Sequence, residues 1–289
     1  MKKLSFIFIF LLLAPLVAFS QETETDTEPQ KEVDKPERAT FESSYIIDNP
    51  TDVLSIKNTL EVHMAHRFGV VNSGTNDLIG IWAPANIRIA LSYALHDRLT
   101  IGFGTSKFNR LQDFNWKVAL LRQTRSGRIP VNVSYYGNFV IDARGKENFL
   151  VEQHRYSYFN QLIISRRFNS KLSLQGAASV SHYNLVPQRM RNDVVAMSLG
   201  GRYKVSSQTS ILLDYTQPFI HHLDGAELDM DPEAGFSVGV EFRTSSHAFQ
   251  LFLSNYQGIV PQQNIMFNQN NFFEGDFLIG FNITRLYNF

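Results

Sequence analysis

Three serine–histidine pairs are the residues of this sequence that come closest to a catalytic arrangement. A lipase-type hydrolase needs a serine hydroxyl within hydrogen-bonding reach of a histidine base. Side chains an odd number of positions apart on one strand point to opposite faces, so they cannot meet there. All three pairs have odd spacing: His154 with Ser157, Ser181 with His182, and Ser246 with His247. We therefore predict no enzyme and keep a hydrolase built across neighbouring strands only as the weakest alternative.

The segment 221–233, HHLDGAELDMDPE, is the one stretch rich in metal-ligating side chains. Asp229, Asp231 and Glu233 are spaced like the start of a calcium loop. The glycine of that motif comes one position late, at Gly235, and Val240 stands where a bidentate glutamate is required. We therefore interpret this segment as a solvated loop and predict no metal and no cofactor.

A larger set of charged residues shares one face of each alternating segment described below. Seven are cations and five are anions, which is close to balance. Buried charges need partners, so this face predicts an interior cross-linked by ion pairs. A selective pore, which would need a ring of one sign, is the less favoured interpretation. The candidate lumen-lining residues are Glu61, Arg67, Arg88, Lys117, Asp142, Arg167, Arg202, Asp214, Glu241 and Arg243, with Lys204 and Asp276 beside them.

The elements that carry these charges have a period of two from residue 58 onward. Leu60, Val62 and Met64 alternate with Glu61 and His63, and similar alternation recurs in about twelve segments of roughly ten residues each. The polar face is rich in small residues, and the apolar face is large and aromatic, since the chain has 24 Phe and 11 Tyr. Large residues outside and small ones inside favour a barrel in lipid over a soluble β-sandwich.

The connections between these segments alternate between short and long. Tight turns are predicted near 96–97, 169–170, 206–207 and 244–246, and long loops near 69–84, 143–155, 184–193, 218–234 and 257–274. Membrane barrels have short periplasmic turns and longer external loops, whereas a soluble meander has no reason to alternate in this way. The predicted fold is an all-β, transmembrane, antiparallel up-and-down β-barrel of about twelve strands over residues 58–289.

The N-terminal part predicts export. Lys2 and Lys3 precede an apolar stretch that ends in Ala18-Phe19-Ser20, which is typical of a signal peptide (residues 1–20) cleaved near Ser20. Residues 21–40 carry charges, Thr and Pro but no aromatics, and predict a disordered acidic spacer. Residues 41–57 contain an apolar strand and a turn, and predict a plug or periplasmic segment.

The last strand and several short strings resemble known outer-membrane proteins. Phe281, Tyr287 and Phe289 share the outward face of the final strand, which resembles the assembly signal read by the outer-membrane insertion machinery. A family of bacteroidete outer-membrane β-barrel proteins, carried as a domain of unknown function, is similar from residue 41 to the C-terminus. That resemblance implies the barrel and its location in a Gram-negative outer membrane, and no substrate, cofactor or catalytic residue. The similar strings are SYIIDNPT (44–51), HRFG (66–69), WAPANIR (82–88), DRLTIGFG (97–104), LLRQ (120–123), HAFQLFLSN (247–255) and GDFLIGFNITR (275–285).

Charge and composition limit the partners. Without Lys2 and Lys3, 25 of the 27 cations stand against 27 anions, which argues against nucleic acid. The expected partners are outer-membrane lipid and the barrel assembly machinery. The expected function is a narrow channel, or a structural or interaction module, with an unknown small-molecule substrate. The main alternative is a transporter of lipids or hydrophobic compounds that is plugged by residues 41–54 and opens laterally near Gly137.

Overall fold

The computed structural model describes residues 34–188, 190–220 and 231–289, and twelve of its strands close into one antiparallel barrel. Each barrel strand pairs with its neighbours in sequence, and the last strand pairs with the first. The predicted all-β transmembrane barrel is thereby confirmed. Its strands are β3 (Thr59–Val70), β4 (Asn86–His96), β5 (Leu99–Ser106), β6 (Leu111–Leu121), β7 (Asn132–Asp142), β8 (Tyr156–Arg167), β9 (Leu172–Tyr183), β10 (Asp193–Lys204), β11 (Thr209–Phe219), β12 (Gly235–Arg243), β13 (His247–Ser254) and β14 (Leu278–Asn288).

The period of two in the sequence becomes the two faces of the barrel wall. Along β3, every second residue from Thr59 is buried and the residues between them are partly exposed. Outward apolar residues are strongly exposed, such as Ile89 at 50% and Leu199 at 64%. A continuous apolar belt of this kind would promote aggregation in water, whereas it suits the hydrocarbon of a bilayer.

The two ends of the barrel differ as the sequence predicts. At one end, called the turn end, β4–β5, β8–β9, β10–β11 and β12–β13 are joined by a few residues each. The other end, called the loop end, carries the long connections. Among the described residues, no helix is long and apolar enough to cross a membrane.

The loop between β13 and β14 contains a helix that the sequence analysis does not anticipate. Helix α1 (Pro261–Phe267) begins with Pro at its first turn, a position where the missing amide hydrogen is tolerated. Ile265 and Met266 are almost fully buried and pack against apolar residues that point inward from the wall. The loop end of the barrel is therefore partly filled by its own last loop.

Residues 34–57, called here the N-terminal segment, begin and end exposed at the turn end, and their central part, residues 40–53, lies inside the barrel. They form a small hairpin of β1 (Tyr45–Ile46) and β2 (Asn49–Pro50), whose turn places Ile47 in the left-handed region at φ 51°. The last part of the expected disordered spacer, residues 34–40, makes backbone contacts with the β6–β7 connection, and the spacer itself stays a prediction. Pro36 forms a bridge with Thr124, and the Glu37 amide donates to the Gln123 carbonyl at 2.7 Å. Residues 1–33, with the predicted signal peptide, lie outside the described residues.

Candidate functional site: the closed lumen

The tip of the hairpin is bound by a buried ion pair. The Asp48 carboxylate lies 2.8 Å from the guanidinium of Arg67, and the side chains are 3% and 1% exposed. The Ser237 and Ser254 hydroxyls donate to the other Asp48 oxygen at 2.7 and 2.8 Å. Breaking a buried pair of this kind leaves an uncompensated charge, so the tip is held in one position.

A second carboxylate, Asp214 of β11, binds the backbone of the same turn. It accepts hydrogen bonds from the amides of Asp48 and Asn49 at 3.0 and 3.1 Å. The Asn49 side-chain amide adds a third bond to Asp214 at 2.8 Å and a fourth to Thr216 at 2.8 Å. The wall therefore recognises both the backbone and the side chain of the hairpin turn.

Nearer the turn end, wall charges hold both arms of the N-terminal segment. The Lys117 ammonium donates to the carbonyls of Ser44 and Val53, each at 3.1 Å, and so ties the arms together. Glu61 accepts a hydrogen bond from the Ser44 hydroxyl. These groups pair with the N-terminal segment rather than with charges across the wall.

The salt bridges of Glu42 continue this pattern at the turn end. Its carboxylate lies 2.5 Å from Arg202 and 2.8 Å from Arg243. Glu241 lies 3.6 Å from Arg202 on the neighbouring wall. Arg167 donates to the Ala39 carbonyl at 3.2 Å. The N-terminal segment therefore supplies the anion that balances a cationic group of wall residues.

Of the ten candidate lumen residues, seven bind the N-terminal segment through hydrogen bonds or ion pairs. Arg88 lies 5.9 Å over the Tyr45 ring of the segment, and Asp142 and Glu241 pair elsewhere. Asp142, at the end of β7, binds Arg144 at 2.7 Å, and Arg88 binds Asp113 inside the wall. Asp276 lies in the loop before β14, where it accepts from Asn72 at 3.0 Å, so its predicted place on a strand is wrong. The seven that bind the segment are Glu61, Arg67, Lys117, Arg167, Arg202, Asp214 and Arg243.

Two important partners do not appear among the predicted site residues. Asp113 accepts from Arg88 at 2.6 and 2.8 Å, and it lies four positions before Lys117 on the same face. The alternation of polar and apolar residues along β6 is sufficient to place Asp113 on the lumen face. Asp48 is different, because nothing local shows that a turn residue of the N-terminal segment pairs with Arg67.

Two carboxyl groups of the N-terminal segment have shifted pKa values. Burial raises the pKa of Asp52, while hydrogen bonds from Ser165 and Thr40 and the charge of Lys117 act in the opposite direction. At the turn end, a hydrogen bond from Ser126 lowers the pKa of Asp34. Asp52 is therefore the acid of this segment that burial biases toward its neutral form.

The serine–histidine pairs do not form a catalytic triad within the described residues. Ser246 and His247 hydrogen bond at 3.2 Å, but the other partner of that histidine is Thr244. His182 pairs with Asp193 at 2.8 Å, whereas Ser181 lies on the inward face of β9 and its hydroxyl has no hydrogen-bond partner among the described residues.

The segment 221–233, for which no metal is predicted, is described only from residue 231 onward. Residues 221–230 lie outside the described residues, and the described ones contain no cluster of three or more potential metal ligands.

Gly137 of β7 pairs in unbroken register with Trp116 of β6. The Trp116 ring covers Gly137 so closely that a Cβ added there would lie 2.3 Å from the ring. The wall at Gly137 is therefore continuous in this structure, and the lateral opening stays a prediction.

Comparison with solved structures shows the same architecture in outer-membrane porins and channels. The NanC porin is similar with a TM-score of 0.51 and 9% identity, over 80% of this chain and 99% of that one. An outer membrane channel from Pseudomonas putida F1 (COG4313) has a TM-score of 0.51 and 13% identity, over 81% of this chain and 97% of that one. At these identities the likeness shows the fold alone.

Comparison with curated proteins found no match. A family model does match, over residues 41–287, and it covers the hairpin and the whole barrel. The chain belongs to the family described as a membrane-bound beta barrel domain (DUF5777).

Proposed function

We propose that this protein is an exported outer-membrane channel for small polar solutes, held closed at rest by its N-terminal segment. The observation that carries this proposal is the nature of the contact between segment and wall. Seven charged wall residues bind the segment through ion pairs and hydrogen bonds. A polar contact surface can be rehydrated when the segment leaves.

The wall that such a movement would uncover suits a water-filled pore. It presents Arg67, Lys117, Asp214 and other charged groups, all of which now face the segment. An apolar plug would expose apolar area to water on leaving, at about 25 cal/mol for each Å². The charged contacts avoid that term, and they favour a removable plug over a permanent core. The apolar cost of removal is confined to the cluster that Phe41, Ile46 and Ile47 form with Leu212 and Phe252.

Helix α1 packs mainly against β8, β9, β10 and β11. The rest of its loop reaches the other side of the loop end, where Val260 packs against Leu111 and Val140 and Asn86 donates to the Gln257 carbonyl. The N-terminal segment fills the lumen below this loop and contacts β3, β6 and β14. Removing the segment is therefore expected to empty the lumen on the turn-end side of the α1 loop, and the conductance that results depends on the passage this loop leaves.

An introduced disulfide between the N-terminal segment and the barrel wall tests the proposed channel. The sequence has no Cys, so an introduced pair can form only one disulfide. The Ser43 and Thr284 hydroxyls are 2.9 Å apart and join the segment to β14, so Ser43→Cys with Thr284→Cys should fix it in place. In planar bilayers we expect openings under reducing conditions, none after oxidation, and a steady conductance when residues 34–57 are deleted.

The matched control places a disulfide in the wall alone. Thr105 and Gln112 lie directly opposite each other on β5 and β6 and do not contact the segment. Oxidising Thr105→Cys with Gln112→Cys should leave the openings unchanged. If the protein that lacks residues 34–57 is shown to be inserted in the bilayer and still does not conduct, a channel is excluded and a structural or interaction module is favoured.

The location and partners of the protein form part of the same proposal. Residues 1–20 direct export with cleavage near Ser20, and the barrel is inserted into a Gram-negative outer membrane by the assembly machinery. The turn end then faces the periplasm and the belt of outward apolar residues contacts lipid. The protein has no catalytic role, since its charged lumen groups are engaged with the N-terminal segment or with each other.

Deleting Phe289 is expected to impair membrane assembly. Its ring is 82% exposed one residue beyond the end of β14, so it contributes little to packing and is available to a receptor. We expect the yield of folded, heat-modifiable barrel in the outer membrane to fall several-fold. Phe273→Ala, which removes a ring 79% exposed in a loop, is the control and should leave the yield unchanged. An equal yield from both variants would refute the assembly role.

A further inference from the structure

A cavity of about 280 Å³ lies at the loop end between α1 and the β5–β6 connection. Its polar lining consists of carboxamides, contributed by Gln257, Gln263, Asn264, Asn268, Gln269 and Asn270. Phe108 and Phe267 supply its apolar surface. Among the residues that the structure describes, none that lines this cavity is charged.

Two of the amides are not satisfied by the protein. The Gln263 side-chain oxygen is buried and has no hydrogen-bond partner in the described part of the chain. Asn264 is only 3% exposed, and its carboxamide makes no hydrogen bond with any described residue. Leaving a buried polar group unpaired costs about 1–3 kcal/mol, which favours a ligand that donates to the Gln263 oxygen. The unpaired Asn264 carboxamide lines the same cavity and is available to that ligand.

Gly258 keeps these two amides accessible on the same side. A Cβ at this position would lie 2.3 Å from Asn264 Oδ1 and 3.1 Å from Gln263 Oε1. A larger residue would therefore displace both oxygens or cover them. The glycine leaves a place where one ligand can reach both groups.

We propose that this cavity binds a neutral sugar unit of about pyranose size. A carboxamide can both donate and accept, as a sugar hydroxyl group does, and Gln263 and Asn264 are the lining amides with unpaired atoms. The donors of Gln257, Asn268 and Asn270 are already bonded to backbone carbonyls. An aromatic ring provides an apolar face for the C–H side of a pyranose. The absence of charge from the described lining disfavours ionic ligands. The volume is close to the lower end of small-ligand pockets, about 300 Å³, and far above that of one water.

Binding to the full mature chain in a sugar-free zwitterionic detergent tests this inference. The probes are glucose, galactose, N-acetylglucosamine and maltose, followed by saturation-transfer NMR and calorimetry, with galacturonate as the charged comparison. We expect saturable binding of at least one neutral sugar and at least tenfold weaker binding of galacturonate. The measurement uses the closed protein, so it is independent of whether the barrel conducts.

Variants distinguish the cavity from other sites on the barrel. Gly258→Val, which fills the space, and Asn264→Ala, which removes an unpaired amide, should each weaken binding at least tenfold. Gln112→Ala, an amide on the outward side of β6, should not change it. Heat-modifiable migration establishes that each variant is folded, and Gly258→Ala is the milder replacement if Gly258→Val is not.

The sugar could come from solution or from a surface glycan, and competition separates these sources. Purified lipopolysaccharide with a neutral O-chain displaces the bound sugar if a glycan is the ligand, and leaves it bound if a free sugar is. Either result supports the proposal. Failure of every neutral sugar to saturate, or equal binding by Gly258→Val, Asn264→Ala and the unaltered chain, would overturn it.

Discussion

Replacing Asp48 with leucine is expected to release the N-terminal segment from the lumen. The change leaves the buried Arg67 guanidinium without its carboxylate and removes the acceptor for Ser237 and Ser254. Losing one partner of a buried ion pair costs about 3–5 kcal/mol. This cost applies only while the segment lies in the lumen (the seated state). The ratio of molecules with a seated segment to molecules with a released segment should therefore drop by roughly 100-fold or more.

The rate at which a buried cysteine is labelled measures that ratio. Ser43 is 2% exposed when the segment is seated, so Ser43→Cys should react with a bulky maleimide only after release. We expect the labelling rate to rise about 100-fold in the Asp48→Leu background. Adding Arg67→Met removes the orphaned cation and should restore much of the protection, because an apolar pair can replace a buried ion pair.

Asp142→Leu is the matched control for this experiment. It removes the same chemical group, but from a pair whose Arg144 partner is 41% exposed and which does not contact the segment. Exposed pairs contribute about 0–1 kcal/mol, so labelling should change only a few-fold. Equal rates in Asp48→Leu and Asp142→Leu would mean that the Arg67 pair does not hold the segment.

The second large effect is that the stability lost by placing an arginine on the lipid-facing surface depends on how deep in the bilayer the residue lies. Leu91 lies at the middle of β4 with 48% exposure, and Leu95 lies near its turn end with 45% exposure. Arginine on the lipid face costs about 2–4 kcal/mol at the midplane and about 0–1 kcal/mol near the interface. We therefore expect Leu91→Arg to lower the free energy of unfolding by about 2–4 kcal/mol, and Leu95→Arg by at most about 1 kcal/mol.

Reversible urea unfolding of the barrel in lipid vesicles measures both values. The two variants carry the same substitution on the same strand and the same face and differ in depth, although Leu95 also lies where the register of β4 with β5 shifts. Equal losses would mean that the hydrocarbon does not lie where the outward belt places it.

The barrel could be predicted from the sequence because its information is local. On β3 and β4, side-chain polarity alternates residue by residue, and the closed barrel buries the face that alternation selects. The same reasoning fails at Asp276. Gly275 adopts φ 95° just before it, and β14 begins only at Leu278, so the alternation cannot be extended back to that residue.

The closed lumen could be predicted only in part because its contacts are distant in sequence. The turn at Asp48-Asn49-Pro50 is visible locally, but the bond from Asn49 to Asp214 spans 165 residues. Helix α1 escaped prediction for a different reason. It has only seven residues in an amide-rich loop, and its burial comes from the wall rather than from its own periodicity.

The hairpin lies against the junction where the last strand, β14, pairs with the first barrel strand, β3. Arg67 of β3 donates to Asn282 of β14 at 2.9 Å, and Asn282 in turn donates to the Ile47 carbonyl at 2.8 Å, a bond between residues 235 positions apart. Contacts of such long range form late and slowly in folding. Because the hairpin bonds to both β3 and β14, its entry into the lumen and the pairing of the first and last barrel strands are expected to stabilise each other during assembly.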